Sequence, residues 1–162
     1  MYNRISDNLV HGQGLQIGDF CLIEDDVVLG DNVSISSYAY IKKGTRIGNN
    51  VKISSYVRTG ENCVIGSGST IKPKCIISPD CFLGEEVFMG PGTIMIHVTL
   101  ERVHKPSTIQ SNCFIGSMCL IDPGITIHEG IVLGSKAYAH SDLIECGLYV
   151  GIPAKIVKVF NA

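Results

Sequence analysis

Charge is scarce in this 162-residue sequence, where Lys, Arg, Asp and Glu together make 17% and leave a formal net charge of −2. A nucleic-acid groove or a polybasic membrane patch needs clustered cations, so neither is expected. Long apolar runs are missing too: nothing approaches the roughly twenty residues of a membrane-spanning helix. The N-terminal MYNRISDNLV lacks the apolar core of a signal peptide, and a soluble, cytoplasmic protein is the expectation. Seven cysteines are present, yet no two stand in a Cys-x-x-Cys pair. That disfavours a structural zinc site. At this length the chain reads as one domain, residues 1–162.

What the sequence does have is a ruler. From Ile17 every sixth residue is large and apolar, through Ile23, Leu29 and Ile35 to Leu83, Met89 and Met95, with Thr59 the one exception among fourteen positions. Four residues after each comes a smaller one, in the series Cys21, Val27, Val33, Ala39 and onward to Thr93. One large and one small inward residue per hexapeptide is the signature of a parallel β-helix. A second period of eighteen lies over the first, in Leu29-Gly30, Ile47-Gly48, Ile65-Gly66 and Leu83-Gly84, and in Ile35-Ser-Ser-Tyr38 and Ile53-Ser-Ser-Tyr56. Three hexapeptides therefore make one coil of a triangular prism, with coils stacked at roughly the 4.8 Å strand spacing. The recurring glycines are expected to serve φ > 0 at one corner. An all-β parallel β-helix of about six to seven coils follows. A sandwich would show turn signals every 8–12 residues instead.

The ruler also accounts for the cysteines. Cys21, Cys63, Cys75, Cys81, Cys113 and Cys119 fall on the small inward register, leaving Cys146 outside it. Buried cysteine of this kind behaves as a small hydrophobe. Residues 1–14 are weakly patterned and are expected to form an incomplete first coil. The register breaks once, over residues 97–108, and resumes at Ile109, fourteen residues after Met95. A loop over about 98–105 accounts for the eight extra residues; the alternative keeps Val103 inward with two inserted. Glu101, Arg102, His104 and Lys105 crowd the segment with charge and favour the loop.

A filled core puts chemistry on corners, loops and subunit interfaces. Tyr38 and Tyr56 share an outward line, and Ile94 and Ile96 flank Met95, so some faces look too apolar for a monomer. Three flat sides suit assembly about a three-fold axis. Five histidines are present: His11, His97, His104, His128 and His140. His97, at the loop root just beyond Met95, is placed as a general base or is a merely exposed turn residue. His104 is a substrate contact or the base itself. His128 and His140 read as solvated corner residues.

The sequence resembles the hexapeptide-repeat acyltransferases, nearest to those acting on sugars and nucleotide-linked amino sugars. The repeat carries part of that resemblance and specifies the fold, and the resemblance implies that the coils wind left-handed. Val87-Phe-Met-Gly-Pro-Gly-Thr-Ile94 with Lys105-Pro106-Ser-Thr-Ile109 carries a second part, similar to the substrate-loop segment of sugar N-acetyltransferases. Phe114-Ile-Gly-Ser117, Ile121-Asp-Pro-Gly-Ile-Thr-Ile127 and Gly151-Ile-Pro-Ala-Lys155 carry the third, similar to the coenzyme A end of these enzymes.

The resemblance implies a homotrimer with acetyl-CoA, and no metal, in the groove between two subunits. Gly116, Ser117, Gly134, Ser135 and Ala137 match positions along the pantetheine arm, and Lys155 and Lys158 match cations near the phosphates. His97 matches the catalytic histidine best, with His104 as second candidate, while Glu101, Arg102 and Lys105 are placed to read a sugar acceptor. The implied reaction is acetyl transfer to an amine or hydroxyl, as in surface polysaccharide synthesis. The loop is shorter than in the galactoside group, and Phe114 replaces a tryptophan found there. Two other readings are a metal-dependent hydratase like the γ-carbonic anhydrases and a non-catalytic β-helix scaffold. The former enzymes carry two histidines five apart, whereas His97 and His104 are seven apart.

Overall fold

A computed structural model describes residues 2–160. Two-residue strands recur along the chain and stack into three parallel sheets. The first has eight strands, from Arg4–Ile5 to Tyr138–Ala139; the second has seven, from Val10–His11 to Thr126–Ile127. The third has nine, beginning at Gln16–Ile17 and ending in Gly147–Val150 and Lys155–Val159. Partners differ by eighteen in number, as in Val64 with Phe82 and Ile65 with Leu83. This is the three-sided parallel solenoid of the left-handed β-helix, and among the described residues there is no helix.

Both inward registers are buried. The large residues from Ile23 to Met95 and the small ones from Cys21 to Thr93 are at most 3% exposed. Thr59, the polar exception, is also fully buried; its hydroxyl lies 3.3 Å from that of Thr45 and accepts the Lys42 N–H at 2.9 Å. Cysteine thiols donate to carbonyls at the corners, Cys63 to Ser78 at 3.1 Å, while Cys81 Sγ accepts the Ser107 N–H at 3.4 Å; burial pushes the Cys63 thiol up to about 12. Such a thiol stays protonated and unreactive.

Two expectations change. The coils number about eight, because Arg4–Ile5 and Val10–His11 are already paired strands. The apolar pattern is weak there because the end coil is open: Ile5 and His11 are exposed and face no coil beneath. The recurring glycines, moreover, do not serve positive φ. A Cβ on Gly30, Gly48, Gly66 or Gly84 would come within 2.3–2.6 Å of an atom of the next coil. Close stacking of backbones demands glycine here. Positive φ falls instead on the residue before each small inward one, and is carried by Asp26, Asn32 and Asn50, and also by Phe20, Tyr38 and Tyr56. Asn and Asp tolerate that conformation best among residues with a side chain.

The chain closes with an antiparallel hairpin, Gly147–Val150 with Lys155–Val159. Its turn caps the first sheet: the Tyr138 N–H donates to Gly151 O at 3.0 Å and the Ala154 N–H to Tyr138 O at 2.7 Å.

Candidate active site

Each coil turns three corners, and the one between the first and second sheets carries the insertion. Strand Ile94–Met95 ends the regular coil and Thr108–Ile109 resumes it, with Ser107 buried in the small inward slot. Eight residues are thus extruded. Val103 is 48% exposed, which removes the two-residue alternative. The extruded segment is a short hairpin: Val98 bridges His104, the Lys105 N–H donates to His97 O at 2.7 Å, and the Thr99 N–H donates to Val103 O at 3.0 Å. Its base is stitched to the next coil, where the Gly124 N–H donates to Lys105 O at 2.9 Å.

This hairpin faces two imidazoles towards each other. The rings of His97 and His104 lie 5.4 Å apart at 70°. His104 Nε2 is 2.8 Å from Asp80 Oδ2, and the other oxygen of Asp80 accepts from Asn62 Nδ2 at 3.2 Å. Asp80 is therefore fixed from below by the preceding coil and holds His104 from above. Desolvation keeps the His97 pKa below the usual imidazole value of 6.5; the charge of His104 adds to the depression and Asp80 offsets part of it. With its pKa below 6.5, His97 is chiefly the neutral imidazole near pH 7, and it lines a cleft of about 300 Å³. Ile76, Ser78 and Pro79 wall this cleft near the histidine, while Lys42 and Arg58 line its far end.

The remaining expected residues fall in different places. Glu101 and Arg102 are exposed at the hairpin tip, and Lys105 is exposed at its base. The Glu101 carboxyl is held below its usual range chiefly by the Thr99 hydroxyl, so the carboxylate orienting a histidine is that of Asp80. Gly116, Ser117, Gly134 and Ser135 stack on the corner between the third and first sheets, a whole strand's width from His97 in the same chain. The Ser117 N–H donates to Ser135 Oγ at 3.1 Å, and a Cβ on Gly116 would meet the Ser135 nitrogen at 2.5 Å. Ala137 is inward and 1% exposed, so only its backbone is available to a ligand. Lys155 and Lys158 are exposed on the terminal strand.

Sequence reasoning missed Asp80, although the ruler points to it: eighteen residues below Val98 is Asp80, and below His97 is Pro79. His140, read as solvated, is exposed; beside it the Tyr138 hydroxyl donates to Asp122 Oδ2 at 2.6 Å, with His140 Nδ1 3.9 Å from the same oxygen, two coils above Asp80 on the loop corner. Among the described residues no three His, Cys, Asp or Glu side chains converge as a metal site.

Comparison with known proteins follows the same division of the chain. Residues 5–100 match the family described as GMPPB C-terminal domain, and residues 106–136 match the hexapeptide repeat of succinyl-transferase. Galactoside O-acetyltransferase of Escherichia coli is 31% identical over 61 residues, 38% of this chain and 30% of that protein. A Schizosaccharomyces pombe protein named as an acetyltransferase is 42% identical over 53 residues, 33% of this chain and 26% of its own length. The matches thus span less than a third of those curated relatives. Among solved structures, UDP-N-acetylglucosamine acyltransferase from Campylobacter jejuni superposes with a TM-score of 0.76 at 19% identity, over 97% of this chain and 73% of that one. An N-acyltransferase from Bacillus cereus, solved with dTDP-4-amino-4,6-dideoxyglucose and coenzyme A, gives 0.57 at 16% identity over 94% and 84%. At such identities the superpositions speak for the fold. With more than half of its length, residues 5–100, matched, the chain belongs to the family of the GMPPB C-terminal domain, and its later coils, residues 106–136, carry the hexapeptide repeat of succinyl-transferase.

Proposed function

We propose that this protein transfers an acetyl group from acetyl-CoA to an amine or hydroxyl of a sugar, with a nucleotide-linked amino sugar of surface polysaccharide synthesis as the acceptor class. As a consumer of acetyl-CoA it would act in the cytoplasm. The observation that carries this reading is the neutral His97 beside a cleft, with His104 held by Asp80 behind it, on a hexapeptide-repeat scaffold. The Bacillus cereus relative, bound to an amino-sugar nucleotide and coenzyme A, supports the same pairing of substrates.

In the proposed reaction the acceptor nitrogen or oxygen attacks the thioester carbonyl while its proton passes to the free nitrogen of His97. A corner N–H stabilises the oxyanion, the C–S bond breaks, and coenzyme A leaves as thiolate to be reprotonated from the imidazolium. Bringing both substrates into one cleft supplies much of the acceleration. The coenzyme residues Gly116, Ser117, Gly134 and Ser135 lie on a different corner from His97, so one chain does not assemble the whole site. A homotrimer would set the coenzyme corner of one subunit against the loop corner of its neighbour, with Lys155 and Lys158 near the coenzyme phosphates and Glu101, Arg102 and Lys105 over the acceptor.

Thermal unfolding with and without millimolar acetyl-CoA, paired with thiol release against a panel of amino sugars and their nucleotide derivatives, tests the reading. A raised midpoint and acceptor-dependent thiol release are expected. A midpoint indifferent to acetyl-CoA would sink it.

A further inference from the structure

Beneath His97 the loop corner carries two cations, with Glu61 and Glu24 close enough to Lys42 to offset part of its charge. Lys42 and Arg58 line the far end of the 300 Å³ cleft and converge on one ring, at 5.8 and 5.5 Å from the Tyr40 centroid. Lys42 has one carboxylate partner, Glu61, at 3.8 Å, and among the described residues Arg58 has none. Two like charges gathered on one aromatic ring repel unless an anion joins them. The core beneath them is adapted as well. Thr59, the single polar residue in the large inward register, accepts the Lys42 backbone N–H and so pins that corner. Inside the prism the same hydroxyl also meets that of the buried Thr45 at 3.3 Å.

Distance and charge order give the ligand its class. Arg58 pairs with Ile76, and Ile76 with Ile94, so Arg58 lies two strand spacings, roughly 10 Å, below the strand that leads to His97. Lys42 is one coil lower at the corner. Ile76, Ser78 and Pro79 line the intervening cleft, which has room for one sugar ring. Below Lys42 the corner opens into a groove of about 630 Å³ whose polar lining mixes Glu24, Asp25, Asp7 and Asn8 with Arg4 and Lys43. From His97 downward the order is therefore neutral cleft, cations, then a mixed groove in which carboxylates outnumber cations. That order suits a sugar, a diphosphate and a ribose, since carboxylates accept hydrogen bonds from ribose hydroxyls and Arg and Lys grip phosphate oxygens.

We infer that Lys42 and Arg58 form a diphosphate-binding subsite that seats a nucleoside-diphosphate sugar with its reactive group at His97. This rests on the proposed acyl transfer for its meaning, but its binding step can be measured separately.

The experiment is calorimetric titration of the protein with UDP, dTDP and GDP, repeated on Lys42→Gln, Arg58→Gln and, as a distant control on the third sheet, Lys52→Gln. Losing a charge-assisted contact is expected to weaken binding of at least one nucleotide roughly ten- to hundred-fold in each cleft variant, with the control unchanged. In thiol-release kinetics the same variants should raise KM for the nucleotide sugar, and the Lys52→Gln control should not. Absence of binding by all three nucleotides, or binding that all three variants share equally, overturns the subsite. If thiol release with a free amino sugar persists in that case, the acyltransferase reading survives. If nucleotide binding depends on Lys42 and Arg58 while acetyl-CoA neither binds nor reacts, the subsite stands and the acyltransferase reading falls.

Discussion

Two corners of the same prism make opposite use of one backbone geometry. The corner between the third and first sheets stacks like on like: Phe20, Tyr38 and Tyr56 lie at 5.1 and 4.9 Å with their rings nearly parallel, and in higher coils Ser117 sits on Ser135. The loop corner changes in every coil, from Glu24 to Lys42, Gly60 and Ser78, then to the His97 hairpin and Asp122. Where side chains repeat, each contacts its own kind and little remains for a ligand. Where they differ, charges and imidazoles that would repel in a column are placed beside unlike neighbours. Asp80 between Asn62 and His104 shows this in one residue, since its two oxygens take two different donors.

Removing the imidazole at the irregular corner has the largest expected effect. His97→Ala should lower kcat on the order of 10²–10⁴-fold, towards the low end for an amine acceptor. His104→Ala and Asp80→Asn act on orientation, so they should lower it less and leave the fold intact by thermal unfolding. If His104→Ala abolishes turnover and His97→Ala does not, the roles of the two histidines are exchanged. The pH profile separates them further. Catalysis needs His97 unprotonated, so the acid limb of kcat/KM should lie below pH 6.5, the rate falling as pH drops through the depressed value. His104→Gln removes a charge that depresses this pKa and should move the limb up; Asp80→Asn removes one that raises it and should move the limb down. Shifts in the same direction for both variants would contradict the arrangement.

Next in size is an insult to the regular part. A Cβ on Gly66 would lie 2.4 Å from the carbonyl carbon and oxygen of Gly84, with backbone on both sides of the clash. Gly66→Ala should destabilise at or above the upper end of about 1–3 kcal/mol for overpacking. At Gly92 a Cβ would meet only the flexible Met118 side chain at 3.5 Å, and the strain comes from its φ of +71°. Gly92→Ala should therefore destabilise by only about 1–2 kcal/mol. Denaturant midpoints on the two variants read the difference, and equal losses would mean that coil stacking is less rigid than these contacts require.

The contrast between corners also explains what the sequence could disclose. Burial imposes the period of six on every coil, so Ile23 to Met95 and their small partners were readable one by one. Ile5 and His11 were not, because an end coil has no neighbour beneath it to demand an apolar residue. The glycines were located correctly and explained wrongly: Leu29-Gly30 and its repeats look alike whether the need is positive φ or a missing Cβ, and only the stacked backbone distinguishes the two. At the site, His97 and His104 were visible as chemistry at a break in the register. Asp80, Lys42 and Arg58 looked like ordinary corner residues, because their function comes from neighbours one to three coils away. The period of eighteen supplies those neighbours once a reference residue is chosen.

The smallest effect tests the regular corner against its own strain. Tyr38 adopts φ +64°, a conformation that costs a residue with a Cβ about 1–2 kcal/mol, more than it costs Asn. Its ring stacks on Phe20 and Tyr56, and such pairs contribute about 0.5–1.5 kcal/mol each, least where exposed as here. The two terms nearly cancel. Tyr38→Asn should change unfolding stability by no more than about 1 kcal/mol, in either direction, and leave kcat unchanged, because the proposed chemistry needs nothing from that position. Denaturant unfolding and thiol release on this one variant measure both halves. A loss of turnover at unchanged stability would show that the aromatic column takes part in the site, and the division between a structural and a chemical corner would then fail at its simplest point.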